Sequence, residues 1–412
     1  MSERRDIVIA GGGMVGISLA LELSRVLPPE ISILLVEGFA LPAGGGDYHP
    51  SFDARSTALS YSSRLVYEQM QVWDELQQWL CPIEQIHVSS RGRFGSTLLR
   101  AADHGWPALG YVVENAWLGS VLASALARNP RVEVCSPARV VAARAAAAGL
   151  SLELEGEGAQ PLQAGLLLVA DGARSSLCRQ LGVAHSDKPY AQHALVANIV
   201  SARPHAGCAF ERFTDEGPLA LLPLVPAAAA QQRSALVWTL PPERAASLVD
   251  CPQQMFLAEL QRRFGYRLGR LRQVGERSVY PLSLVQAAEQ VRQGVVVMGN
   301  AAHALHPVAG QGFNLALRDV VELARVLAAG VAAGRAPGDL GVLQQYRERQ
   351  RADQQRTIGF SDRVPALFMH NDPVLGLGRD LALAGLDIAP PLKQAFVRHA
   401  AGMAALRGHG HG

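Results

Sequence analysis

Three short apolar runs that each end in a glycine-bearing turn predict an α/β fold, because buried parallel strands read as unbroken hydrophobic segments. Residues 182–280, between the second and third runs, carry strand-like patterning without such turns and predict a separate β-sheet unit. An Arg-rich stretch with helical spacing from about Leu340 predicts a helical carboxyl-terminal region. The chain has 412 residues, which suggests two or three domains at roughly 150 residues each. With 49% hydrophobic and 18% charged residues, a disordered protein is excluded. The 38 basic and 36 acidic residues give a formal charge of +2, too balanced for nucleic-acid binding by phosphate neutralisation.

No window approaches the roughly 20 apolar residues of a membrane-spanning helix; the richest, residues 218–230, is interrupted by Pro223 and Pro226. The start, Glu3-Arg4-Arg5-Asp6, does not read as a secretory signal. Cys81, Cys135, Cys178, Cys208 and Cys251 are widely spaced without a CxxC pair, which favours reduced thiols over disulfides or a zinc site. These features predict a soluble cytoplasmic enzyme.

The first run, residues 6–10, leads into Gly11-Gly12-Gly13-Met14-Val15-Gly16, then helical spacing to Leu27, a stop at Pro28-Pro29, and a second strand over residues 31–37 ending in Glu37. Strand, glycine turn, helix, strand and terminal acid form a Rossmann-like dinucleotide site. Gly11 permits the tight turn, Gly13 lets backbone N–H groups approach a pyrophosphate, and Gly16 lets the helix pack closely. Met14 and Val15 lie within this glycine turn and are counted with it as cofactor contacts, the helical stretch running from Ile17 to Leu27. Glu37 is placed to accept hydrogen bonds from ribose hydroxyls, which favours FAD or NAD over a nucleotide with a 2′-phosphate.

The second run, residues 165–170, ends in Asp171-Gly172-Ala173-Arg174. The third, residues 294–298, ends in Gly299-Asn300 and continues to Pro307-Val308-Ala309-Gly310-Gln311-Gly312-Phe313-Asn314, after which helical spacing resumes through Leu317, Val320 and Leu327. Glycines directly before a helix expose N–H groups at the positive end of its dipole, suited to a pyrophosphate or to the pyrimidine end of a flavin.

These motifs resemble, from end to end of the chain, the flavoprotein aromatic hydroxylases of the para-hydroxybenzoate hydroxylase fold. The run from His306 to Asn314 with Arg318-Asp319, and Phe52-Asp53-Ala54-Arg55-Ser56-Thr57-Ala58-Leu59, are similar to the ubiquinone-biosynthesis hydroxylases within that group. Gly299-Asn300 replaces the usual Gly-Asp and is more similar to the octaprenyl-methoxyphenol hydroxylase branch; the Asn carbonyl can accept the same ribityl hydrogen bond. Ala316 stands where the signature has Gly.

The resemblance implies a discontinuous FAD-binding domain of residues 1–75, 111–181 and 281–338. It also implies a substrate-domain insertion at 76–110, a β-sheet substrate domain at 182–280 and a helical region at 339–412. It implies bound FAD, reduction by NADH or NADPH, and O2 as co-substrate. A flavin C4a-hydroperoxide then delivers one oxygen to an electron-rich ring while the other leaves as water. On the family pattern Arg55 reaches the pyrophosphate or ribityl chain and Asp171 lies beside them, with a rival role as helix cap near Arg174. Pro307, Gly310, Gln311, Gly312, Phe313 and Asn314 lie along the isoalloxazine. No base is identified among Tyr190, His193, Tyr280 and His303.

Strand-like stretches near residues 195–200, 219–225 and 235–240, with a further one at 86–90, are expected in the substrate sheet. Leu221, Leu222, Leu224, Val237 and Trp238 are candidates both for lining a prenyl-chain cavity and for plain sheet core. The carboxyl-terminal region, apolar at Leu381, Leu383, Leu386, Phe396 and Met403, is expected to pack on the flavin domain; a dimer contact and peripheral contact with the inner face of the membrane are the alternatives. The expected partner is a polyprenyl phenol substrate, with other ubiquinone-biosynthesis proteins as candidate assembly partners. The rival readings are a hydroxylase for another phenol or ring position and a silent FAD-binding scaffold. A halogenase is disfavoured because no WxWxIP motif occurs.

Overall fold

A computed structural model describes residues 3–41, 55–92, 96–147, 149–156, 160–227, 231–306 and 310–369, with side chains to residue 363. Pro307, residues 52–54 and the apolar stretch from Leu381 to Met403 lie outside the described residues. Five strands run parallel in the order Val295–Val297, Leu162–Val169, Glu3–Ala10, Ile33–Val36 and Val132–Cys135. An antiparallel ribbon, Ala138–Ala146 with Gly149–Gly156, continues from Leu162–Val169.

The apolar runs follow from burial on both faces. Ile7, Ile9, Ile33, Leu35, Leu166 and Leu168 face the helices Met14–Val26, Asn115–Ala127 and Gln311–Ala332. Their alternates Val8, Ala10, Leu34, Val36, Leu167 and Val169 pack on the ribbon and on Leu177 and Cys178 of the short helix Ser176–Gln180. Every position along these strands therefore gains from being apolar.

The second sheet runs His303–Ala304, Ser278–Ala287, His185–Ser201, Gln231–Leu240, Pro218–Ala227, Cys208–Phe213, Gln85–Ser90 and Ser96–Arg100, with Leu271–Val274 also paired to His185–Ser201. The expected strand near residues 86–90 is Gln85–Ser90, joined in parallel to Cys208–Phe213. One face packs Leu195, Ile199, Leu219, Leu221, Leu236 and Trp238 against the helices Pro242–Val249 and Gln253–Phe264. The opposite face sets Leu222, Leu224 and Ala235 against Ile83 and Val112. Those two belong to a small antiparallel sheet of Ser56–Ser60, Gly110–Glu114 and Leu80–Ile83. The candidate lining residues thus divide. Leu221 and Trp238 are sheet core on the helix side, whereas Leu222, Leu224 and Val237 belong to the other face.

The helix expected near Leu340 is Leu340–Met369, and it is bound to Gln311–Ala332 by polar contacts. Arg318 Nε bonds Asp353 at 2.6 Å and Gln354 Nε2 donates to Asp319 at 3.0 Å. Among the described residues no helix is long and apolar enough to cross a membrane. Truncating a large buried aromatic costs about 3–5 kcal/mol, and Trp238 is fully buried. Trp238→Ala is accordingly expected to lower the urea midpoint by that amount of stability.

Candidate functional site

The first glycine turn is shaped by close approaches. Gly11 has φ of +107°, and a Cβ there would come within 2.6 Å of the Ala170 carbonyl oxygen. A Cβ on Gly16 would lie 1.8 Å from the Gly11 carbonyl oxygen, so Gly16 is needed for the helix to close on the turn itself rather than on the strand. Gly13 differs: its Cβ would meet nothing within 4 Å. It precedes the helix Met14–Val26, which has no side-chain cap and no acid in its first turn. The amides of Met14, Val15 and Gly16 are therefore at a positive helix end without a protein side chain to receive them. Glu37 stands at the tip of the next strand, accepting from Gly12 N–H at 2.5 Å and Phe39 N–H at 2.9 Å.

The other two motifs converge on this turn. Ala170 N–H donates to the Ala10 carbonyl and Met298 N–H to the Val169 carbonyl, which carries the parallel ladder to the strand tips. Asp171 follows at once, its Cα backing Gly11. The helix cap considered for Asp171 is made instead by Ser175, whose Oγ accepts from Cys178 N–H and donates to Asp171 Oδ2, each at 2.8 Å. Gly172 has φ of +97° and open space where a Cβ would be. Gly299, with φ of +57°, lies against Val15, 3.2 Å from a built Cβ. Asn300 is exposed, and its amide bonds no other described residue.

The loop into the long helix is held from behind. Gly310 is left-handed, at φ of +59°, and abuts Ala58. Asn314 is buried with all four side-chain bonding positions engaged: Oδ1 accepts from Ser60 N–H and Ser63 Oγ, and Nδ2 donates to the Ala58 and Gly310 carbonyls. Its side chain braces the loop, and all of its bonding capacity is spent on protein partners. Gln311 is buried, Phe313 packs against the core, and Gly312 has only Leu305 within reach of a built Cβ, at 4.0 Å. Like the first helix, Gln311–Ala332 starts without a side-chain cap or acid.

Arg55 extends over the Tyr280 ring, 5.9 Å from its centroid, which links the small sheet to the second sheet. Two candidate bases are committed elsewhere. His303 is buried with its Nε2 2.8 Å from Asp319, and Tyr190 donates to Asp362 at 3.0 Å. His193 lies between Leu240 and Pro281 in the second sheet, and its ring bonds no other described residue. Beside Tyr190 sits the ring of His306, at 5.1 Å and edge-on; burial pushes its pKa down to about 4, leaving it neutral. Ser361 Oγ donates to the His306 carbonyl.

Two features escaped sequence reasoning. Arg233 is wholly buried and paired with Glu114 at 2.6 Å, and Asp362 of the last helix ties down Lys188 and Tyr190. Neither pairing has a local spacing signal, because 119 and 174 residues separate the partners.

The residues fit FAD. Two uncapped helix ends, open Cβ directions at Gly13 and Gly172, and an Asn300 amide that bonds no other described residue belong to the three glycine motifs. This fold and site define an FAD-dependent monooxygenase. In solved structures the same architecture occurs in p-nitrophenol 4-monooxygenase from Pseudomonas putida (TM-score 0.72, 19% identity, 93% of both chains covered). It also occurs in PqsL of Pseudomonas aeruginosa (TM-score 0.73, 19% identity, 92% of this chain and 100% of that one). The chain belongs to the FAD-dependent hydroxylase family of ubiquinone biosynthesis, with the FAD binding domain matching residues 4–361. It is 35% identical to ubiquinone hydroxylase UbiL of Rhodospirillum rubrum, covering 96% of this chain and 89% of that protein. Identity to the 3-demethoxyubiquinol 3-hydroxylase of Escherichia coli is 31%, over 97% and 98% of the two chains.

The glycines separate folding from cofactor binding. Gly13→Ala is expected to keep its melting temperature without cofactor yet bind FAD at least about tenfold more weakly, since loss of one close phosphate contact is worth over ~1.4 kcal/mol. Gly16→Ala is expected to lose both, as read by flavin fluorescence titration and thermal melting. At the other end of the site, the Lys188 hydrogen bond holds the Asp362 carboxyl below the usual carboxylate range. A depressed carboxylate stabilises the folded state above its unfolded value, and the contribution is lost as pH falls through the lower folded value. Hydrogen exchange at residues 358–363 should therefore speed up on acidification in the native chain, and should be fast and less pH-sensitive in Asp362→Asn after correction for intrinsic exchange.

Proposed function

We propose that this enzyme hydroxylates the aromatic ring of a polyprenyl (methoxy)phenol in ubiquinone biosynthesis, with NADH or NADPH as reductant and O2 as the oxygen source. The observation that carries this reading is the uncapped start of Gln311–Ala332, backed by Ala58. A positive helix end of this kind suits the electron-rich pyrimidine side of a flavin. The names of the Rhodospirillum rubrum and Escherichia coli relatives support the pathway. Gly299-Asn300 supports the octaprenyl-methoxyphenol branch.

Bound FAD supplies the two-electron reduction and the activation of O2. The chain's own groups bind and orient. Amides of Met14, Val15 and Gly16 would hold the pyrophosphate, and Glu37, fixed by Gly12 and Phe39, would take the ribose hydroxyls. Asn300 and Asp171 would serve the ribityl chain, and Arg55 would supply positive charge nearby. N–H groups of Gly312 and Phe313 would stabilise the negative charge that a bound flavin takes up on reduction. Val196, Ala220 and Val237 of the second sheet exclude water from the ring substrate. We further propose peripheral contact with the membrane where such a lipid dissolves, and assembly with other proteins of the pathway.

Purified holoenzyme given a short-chain prenyl methoxyphenol, NADH or NADPH and O2 is expected to oxidise the nucleotide faster with the phenol present and to yield a product heavier by one oxygen atom. An 18O2 label should appear in that product. A product from unprenylated phenols alone would favour a different substrate, and no stimulation by any phenol would favour the scaffold.

A further inference from the structure

The second sheet carries one carboxylate where a ring substrate would need it. Glu211, in Cys208–Phe213, pairs with Ala220 on one side and Val88 on the other; Ala220 pairs with Val237, and Val237 with Val196. Directly opposed residues project to the same face of a sheet. The residues adjoining this row in sequence, Leu195, Leu219, Leu236 and Trp238, are core on the helix side. Glu211 therefore projects to the opposite face, between Ala220 and Val88 and in one row with Val237 and Val196 further across the sheet.

The neighbouring rows show what lies above it. On one side, four strands across from Glu211, Ala194 pairs with Tyr280, whose ring carries the Arg55 guanidinium. On the other, Leu222 and Ala235 pack with Val112 and Ile83. Val112 pairs with Ala58, and Ala58 touches Gly310. Arg55 leads directly into that same strand. The row containing Glu211 is thus bracketed by contacts to the segment that backs the flavin loop.

We infer that the Glu211 carboxylate is the base that takes the proton from the substrate's ring hydroxyl, which rests on the hydroxylase reading above. The phenol O–H bond breaks and a Glu211 O–H bond forms. The freed electron pair feeds the ring, whose carbon bonds to the oxygen supplied by O2 and the reduced cofactor. When the ring regains aromaticity its C–H proton leaves with the second oxygen atom as part of water, and Glu211 returns its proton to the original ring oxygen. Glu211 ends as it began.

The chemistry of the position matches. The Glu211 carboxyl makes no ion pair or hydrogen bond to another described residue, and burial alone pushes its pKa up to about 7. A base with a pKa near the working pH combines availability with proton affinity. The charged and titratable groups around it are engaged elsewhere. Arg212 turns to the helix side and bonds the Arg263 carbonyl and Ser89, and His87 shares that side through its contact with Phe210. Arg233 and Glu114 pair two rows away, Tyr280 lies four strands across under Arg55, and Arg64 bonds Tyr111 and stacks near Tyr61.

The test uses holoenzyme of the native chain, Glu211→Gln and Glu211→Leu, each checked for flavin content, with a short-chain 2-prenyl-6-methoxyphenol. The native kcat is expected to rise with pH through a limb near 7 and then level. Glu211→Gln should lose that limb and about 10²-fold in kcat with little change in KM. With a nitro-substituted phenol, already ionised at pH 8, the two should turn over alike. Binding followed by the absorption of the flavin should show the native chain preferring the phenol over its methyl ether by about tenfold, the worth of a hydrogen bond to a charged group, and Glu211→Leu should lose the preference. A Glu211→Gln enzyme with native kcat and pH profile overturns the assignment alone. If Glu211→Gln holds no flavin, a native profile without the limb overturns it as well. A native holoenzyme that hydroxylates no phenol overturns the parent reading and this one with it.

Discussion

The architecture depends on one close approach, that of Gly16 to the carbonyl of Gly11. A turn this tight lets the first helix start directly over the strand tip, so its amide groups point at the space beside Glu37 and Asp171 instead of into the protein. The parallel sheet supplies the rigid platform, and its apolar residues, sealed on both faces, keep the tips from shifting. Gly299 against Val15 then ties the third motif to the same point. A cofactor spanning these tips meets groups that are already aimed, which lowers the cost of binding.

Much of this was legible in the sequence because it is local. Glycines before helices, an acid at the end of the second strand, and apolar runs for doubly covered strands are encoded within a few residues of one another. The resemblance to flavoprotein hydroxylases rests on those same stretches. The second sheet was recognisable from the stretches around 195–200, 219–225 and 235–240, and its last strand but one from residues 86–90.

What could not be read depends on which face a strand turns inward and on partners far away in the chain. Leu221 and Leu222 are equally apolar, and only the pairing register assigns one to the helix side and the other to the small sheet. Asn314 lies in a cofactor motif, yet its side chain is spent on Ser60, Ser63, Ala58 and Gly310. The buried pair of Arg233 and Glu114 joins the two sheets across more than a hundred residues, where an isolated charge would be costly. Glu211 is similarly hidden: in sequence it is a polar residue between Phe210 and Arg212, and only the pairing of four strands puts it among aliphatic side chains.

The last helix has a standing that its polar, Arg-rich composition conceals. Gln354 and Asp353 bond Asp319 and Arg318, and Asp319 in turn holds His303 in the segment that follows the third strand. A polypeptide terminated ahead of residue 350 would lack these counterparts, and an acid and an imidazole that are now dry would be laid open next to the cofactor helix. Integrity of the chain's far end is thereby a condition for the flavin site itself, so messages or proteolytic fragments ending early should give colourless protein even with every glycine motif intact.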